Sequence, residues 1–93
     1  MRLLLGIDLG SQGTKAALYD ETGACVVEAF EPSQPRRPAP GVVEEDPELQ
    51  LGATLHTIRT CLEQSRANPA DVAGLALAGQ MAGIIGVGAD GRA

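Results

Sequence analysis

Aromatic residues are almost absent: Tyr19 and Phe30 are the only two, and the 93-residue chain has no Trp. A core must therefore come from Leu, Val, Ile and Ala, which bury less area per residue. A chain of this length buries only about 60–65% of its unfolded surface, which leaves little apolar area for a self-standing domain. Cysteine is scarce too. Cys25 and Cys61 match no metal-ligating or redox spacing and read as two reduced, buried thiols of a cytoplasmic protein. Basic residues are outnumbered, 7 Lys and Arg against 12 Asp and Glu, for a formal net charge of −5. Nucleic acid and anionic membranes attract basic surfaces, so neither is an expected partner. No apolar run approaches the roughly 20 residues of a membrane span. The opening MRLLLGI is too short for a secretory signal, and Asp8 interrupts it.

What is present is a series of short apolar runs separated by turn chemistry. Residues 3–8 (LLLGID), 14–20 (TKAALYD) and 24–31 (ACVVEAFE) read as three strands. The links are a glycine turn and Asp20-Glu21-Thr22-Gly23, and connections so short permit only an antiparallel meander. Four prolines between 32 and 40 exclude a helix or central strand, so the segment 32–41 is expected as an extended surface loop.

Asp46 suits a helix cap and Pro47 the first helical position. Leu51, Leu55, Ile58 and Leu62 then predict one apolar stripe on a helix over about 46–67, stopped before Asn68-Pro69. His56 lies beside that stripe with no Cys or carboxylate at ligand spacing, and reads as a packing or surface residue. Residues 73–78 (AGLALA) resemble a strand covered on both faces, and the helix before it implies a crossover to a parallel partner. After Gly79-Gln80-Met81-Ala82-Gly83, the run IIGVG up to residue 88 predicts a further strand. An unpaired edge there is an association hazard and leaves a homodimer open.

Three glycine patterns bear on phosphate. A Walker A loop needs Gly-Lys followed by Ser or Thr, whereas Lys15 follows Thr14 and precedes Ala16. Gly86 to Gly91 match G-x-G-x-x-G literally, but Ala89-Asp90-Gly91 is ordinary turn chemistry and no helix is expected to open there. The third pattern is GIDLGSQGTK, residues 6–15. Gly10 and Gly13 let backbone approach a ligand without a β-carbon in the way. Amides around Ser11, Gln12 and Gly13 would point into one concave nest, with the Ser11 and Thr14 hydroxyls and Lys15 adding donors. Asp8 repels phosphate but suits Mg²⁺, usually through water. Spacing alone leaves two readings open, a plain β-turn and a phosphate cradle.

GIDLGSQGTKAALYDETG resembles the first phosphate motif of the FGGY carbohydrate kinases, in the superfamily of sugar kinases, actin and heat-shock chaperones. Glu44-Glu45-Asp46-Pro47-Glu48 resembles the E-x-D-P-E that opens the family's helix. Gly74 to Gly83 (GLALAGQMAG) resembles the G-Q-M-H-G segment of xylulokinase-like members. The resemblance implies an α/β, ribonuclease H-like fold: a three-strand antiparallel meander, one helix, then further strands, as the N-terminal part of the first kinase domain.

By position it also implies roles. Asp8 would assist Mg²⁺–ATP, Gly10, Ser11, Gln12, Gly13 and Thr14 would cradle the terminal phosphates, and Lys15 would stand near them. Gln80, Met81 and Ala82 would line the sugar site. The implied reaction moves the γ-phosphoryl group of ATP to a hydroxyl of a pentulose or related sugar or polyol, by positioning and electrostatics. Ala82 stands where xylulokinases carry His, so loss of that donor should change sugar choice. The family's catalytic base, second phosphate motif and adenosine pocket lie downstream of such a segment. These 93 residues are thus expected to be inactive alone and to need the remainder of the kinase chain. Two other classes stay open: an ATP-binding module of another superfamily member, and a small non-enzymatic interaction domain.

Overall fold

The computed structural model describes residues 2–81 and 83–93. Three strands form a meander: β1 (Leu3–Leu9), β2 (Gly13–Tyr19) and β3 (Cys25–Pro32). A two-stranded ribbon follows, β4 (Arg36–Ala39) with β5 (Val42–Glu44), then helix α1 (Pro47–Ser65) and strand β6 (Val72–Gly79). The main sheet has the order β3-β2-β1-β6, antiparallel throughout except that β6 runs parallel to β1. This is the expected ribonuclease H-like beginning, with α1 as the crossover.

Local chemistry sets the boundaries. The Asp46 carboxylate accepts from the Glu48 N–H at 2.9 Å and Pro47 occupies the first turn, so the helix starts where donors are otherwise orphaned. It ends two residues earlier than expected, because Arg66 turns into the left-handed region at φ 57°. Between β2 and β3, one Asp20 oxygen accepts from the Thr22 N–H, the Thr22 hydroxyl and the Ala24 N–H. Gly23 supplies the φ of +88° that this turn demands.

Strand alternation puts Leu3, Leu5 and Ile7 of β1 and Ala16 and Leu18 of β2 on one face. α1 covers that face over β2 and β3, and Cys61 and Thr57 are its buried residues. Cys61 donates its thiol to the Ala16 carbonyl at 3.3 Å, and Thr57 satisfies its hydroxyl on the Thr54 carbonyl. Burying a side chain such as Leu18 contributes about 1.5–3 kcal/mol.

Five expectations need correction. The predicted Leu51, Leu55, Ile58, Leu62 stripe lies roughly a quarter turn from the face that packs on the sheet. Ile58 and Leu62 are half-buried against the core, but Leu51 and Leu55 remain 55% and 43% exposed. The sheet already presents bulky Leu and Ile, so the helix meets it with smaller residues at Thr57 and Cys61. Leu75 and Leu77 of β6 lie on the same sheet face beyond the reach of α1, and among the described residues nothing covers them.

The proline-rich segment is not only a loop. Arg36 pairs with Glu44 and Ala39 with Val42 around Gly41 at φ +79°. Pro38 fits there because a two-stranded ribbon has free edges. The run 83–88 forms no strand: Ile84 is fully exposed, and three glycines disfavour an extended run without a partner. Cys25 is exposed rather than buried, at the start of β3.

Candidate functional site

β1 and β6 are parallel, so their carboxyl ends lie side by side, which is where open α/β sheets bind ligands. The Gln80 N–H donates to the Leu9 carbonyl at 3.1 Å. That bond sets the GQM segment directly against the root of the glycine hairpin. Sequence places these two elements far apart, and the topology brings them together.

Gly10 donates to the Gly13 carbonyl at 2.9 Å and closes the hairpin, leaving Ser11 and Gln12 at its tip. No residue from 10 to 15 has a positive φ, so this turn does not form the alternating-handed concavity of an anion nest. Glycine is needed here for space. A β-carbon at Gly13 would collide with the Glu31 carbonyl and the Phe30 ring, and one at Gly10 would sit 3.3 Å from the Gly13 carbonyl. Among the described residues, the N–H groups of Ser11 and Gln12 donate to no protein atom. Two donors therefore stand free at the tip, as an anion requires. The tip carbonyls are engaged instead: Ser33 Oγ donates to the Ser11 carbonyl and the Ser33 N–H to the Gln12 carbonyl, each at 3.0 Å.

Asp8 and Lys15 are cross-strand partners on the sheet face opposite α1. With Tyr19 and Ala76 they line a depression of about 260 Å³. Thr14 alternates to the other face and is only 5% exposed, so its side chain lies with the core and not beside Lys15. It lines a second cavity, of about 250 Å³, between the hairpin and the first turns of α1, with Gly10, Gly13, Gln50 and His56. Glu31, Glu45, Asp46 and Glu48 rim that cavity and disfavour a triphosphate there by like charge. The Asp8–Lys15 face carries no such ring.

Gln80 also donates through Nε2 to the Glu45 carboxylate at 3.2 Å. Met81 projects fully into solvent. Ala82 lies outside the described residues. Gly86 to Gly91 close a tight turn, with Gly88 N–H on the Arg92 carbonyl and Arg92 N–H on Asp90. Sequence reasoning gave Ser33 no role and Glu45 none beyond its motif. Nothing in the local pattern of either residue signals a contact so distant along the chain. Among the described residues no cluster of His, Cys, Asp and Glu is arranged to hold a metal ion by itself, and no helix is long and apolar enough to cross a membrane.

Comparison with known proteins agrees with this fold. Residues 3–93 match the FGGY family of carbohydrate kinases, N-terminal domain. Glycerol kinase 1 of Thermotoga maritima is 36% identical over 77 residues, covering 83% of this chain and 16% of its own length. Xylulose kinase of Staphylococcus xylosus is 32% identical over 93 residues, covering 99% of this chain and 19% of its own. The crystal structure of a xyloylose kinase from Brucella ovis superposes with a TM-score of 0.91 at 33% identity, covering 98% of this chain and 19% of that one. The chain thus spans less than a fifth of the length of these relatives.

Proposed function

Since the chain belongs to the FGGY family of carbohydrate kinases, we propose that it is the N-terminal part of a kinase that moves the γ-phosphoryl group of ATP to a hydroxyl of a pentulose or related polyol. The observation that supports this reading is the Gln80 to Leu9 bond, which sets the GQM segment beside the glycine hairpin at one end of the sheet.

The free Ser11 and Gln12 amides would hold terminal phosphates, and Lys15 would add positive charge from the same end. Asp8 would hold Mg²⁺, which neutralises the triphosphate when bound. Gln80, Met81 and Ala82 would face the acceptor. Thr14, with its side chain in the core, would contribute through its backbone position. Donor hydrogen bonds that fix charge and alignment are what such a transfer asks of the protein. The catalytic base and adenosine pocket would come from the remainder of the chain, and an ATP-consuming kinase of this kind would work in the cytoplasm.

The test is ADP release by the full-length protein with Mg²⁺–ATP and a panel of pentuloses, sugar acids and glycerol. Acceptor-dependent release that is lost in Asp8→Ala is the expected result. Release without any acceptor would favour an ATPase of the wider superfamily, and no release at all with any acceptor would overturn the kinase reading. Residues 1–93 alone should give none.

A further inference from the structure

A cradle at the hairpin tip needs its free amides held in one orientation. A two-residue tip without left-handed glycine has no internal device that fixes its peptide planes. All peptide bonds here are trans, so each carbonyl points opposite to the N–H of the next residue. Fixing the Ser11 carbonyl therefore fixes the Gln12 N–H, and fixing the Gln12 carbonyl fixes the Gly13 N–H.

Both carbonyls are held by one residue. Ser33 reaches the Ser11 carbonyl through its hydroxyl and the Gln12 carbonyl through its N–H, each at 3.0 Å. It does so from the segment just past β3, whose register against β2 sets Pro32 opposite Gly13. That register is close because Gly13 has no β-carbon: any side chain there would meet the Glu31 carbonyl and the Phe30 ring and push β3 away. Gly13 and Ser33 are thus two parts of one device, the first admitting β3 and the second grasping the tip.

We propose that Ser33 is a positioning residue for the phosphate hairpin, clamping the Ser11 and Gln12 carbonyls so that the free Gln12 N–H stays turned toward the terminal phosphates. It touches no reacting atom. The proposal rests on the reading of residues 10–13 as a phosphate cradle.

The experiment uses the full-length protein and calorimetric affinities for two probes, Mg²⁺–AMP-PNP and AMP, which lacks the terminal phosphates. Ser33→Ala removes the hydroxyl clamp and should weaken AMP-PNP binding about fivefold, the scale of one lost hydrogen bond, while AMP affinity stays unchanged. Ser33→Thr, which keeps a hydroxyl, should restore AMP-PNP binding. Gln12→Pro deletes one tip N–H outright and should weaken AMP-PNP more than Ser33→Ala. If Gln12→Pro weakens AMP-PNP and Ser33→Ala does not, the Ser33 role is overturned and the cradle stands. If neither variant changes AMP-PNP affinity, the cradle reading itself fails and takes this role with it. Equal weakening of AMP and AMP-PNP in Ser33→Ala would show general structural damage and overturn the clamp.

Discussion

Gln80 Nε2 lies 3.2 Å from Glu45 Oε2, so the residue that follows β6 is tied to the one that precedes the cap of α1. This bond holds, by the Glu45 carboxylate, a side chain that we propose faces the acceptor. Glu45→Ala in the full-length protein should raise the acceptor KM roughly three- to tenfold, since one hydrogen bond to a charged group is lost. The KM for ATP should not move. Glu45→Gln, whose amide oxygen still accepts, should fall between. An ATP KM that rises in step with the acceptor KM would contradict this division.

Gly13→Ala should destabilise by roughly 1–3 kcal/mol, because the new methyl group meets backbone and an aromatic ring at once. Gly10→Ala meets only the Gly13 carbonyl, at 3.3 Å, and should cost less. Thermal midpoints of the two variants, compared with the parent, give the order directly. A Gly13→Ala midpoint at or above that of Gly10→Ala would show that β3 yields easily.

Asp20 carries a pH signature. Its hydrogen bonds, first from the Thr22 hydroxyl and then from the Thr22 N–H, hold its carboxyl below the ordinary value of 3.8. A depressed folded-state value means stabilisation that is present above the ordinary value and is lost as pH falls through the folded one. The thermal midpoint of the parent should therefore exceed that of Asp20→Asn by a constant margin down to about pH 5, and the margin should shrink in more acid solution. A margin that grows on acidification would mean the sign is wrong.

The two thiols should differ in reactivity. Cys25 is exposed, whereas Cys61 is buried beneath the sheet, donates to the Ala16 carbonyl, and has its thiol pushed up chiefly by that burial. Thiolate is the reactive form, so alkylation of the native protein should label Cys25 readily and Cys61 only on unfolding. Peptide-level mass spectrometry after a timed iodoacetamide pulse separates them. Equal labelling of both under native conditions would mean that α1 lifts from the sheet.

The meander, the Asp46-Pro47 helix start and β6 were legible because each depends on residues close together in sequence. Alternating Leu and Ile, a turn aspartate with glycine, and a capping aspartate before proline are local rules. The face that α1 buries was not legible. Periodicity finds the most apolar stripe, but packing chose Thr57 and Cys61, since β1 and β2 had already filled the interface with Leu3, Leu5, Ile7 and Leu18. The run 83–88 failed for the opposite reason: it has strand composition, yet a strand exists only where another chain segment supplies hydrogen bonds. At the site, the glycine hairpin and GQM were visible as motifs. Their juxtaposition, the opposite faces of Thr14 and Lys15, and the reach of Ser33 belong to register and topology, which no short window of sequence contains.

The parallel pairing of β1 with β6 also has a consequence during synthesis. β1 can zip to β2 as soon as the hairpin emerges from the ribosome, but its other edge must wait for Gly74 to meet Leu4. Closing so long a loop is slow more than it is costly. Through that interval the nascent chain carries an open ladder along Leu3 to Leu9, a template for any extended segment nearby. β6 also delivers Gln80, so the pairing of β6 with β1 and the arrival of the GQM segment against the glycine hairpin are a single kinetic event.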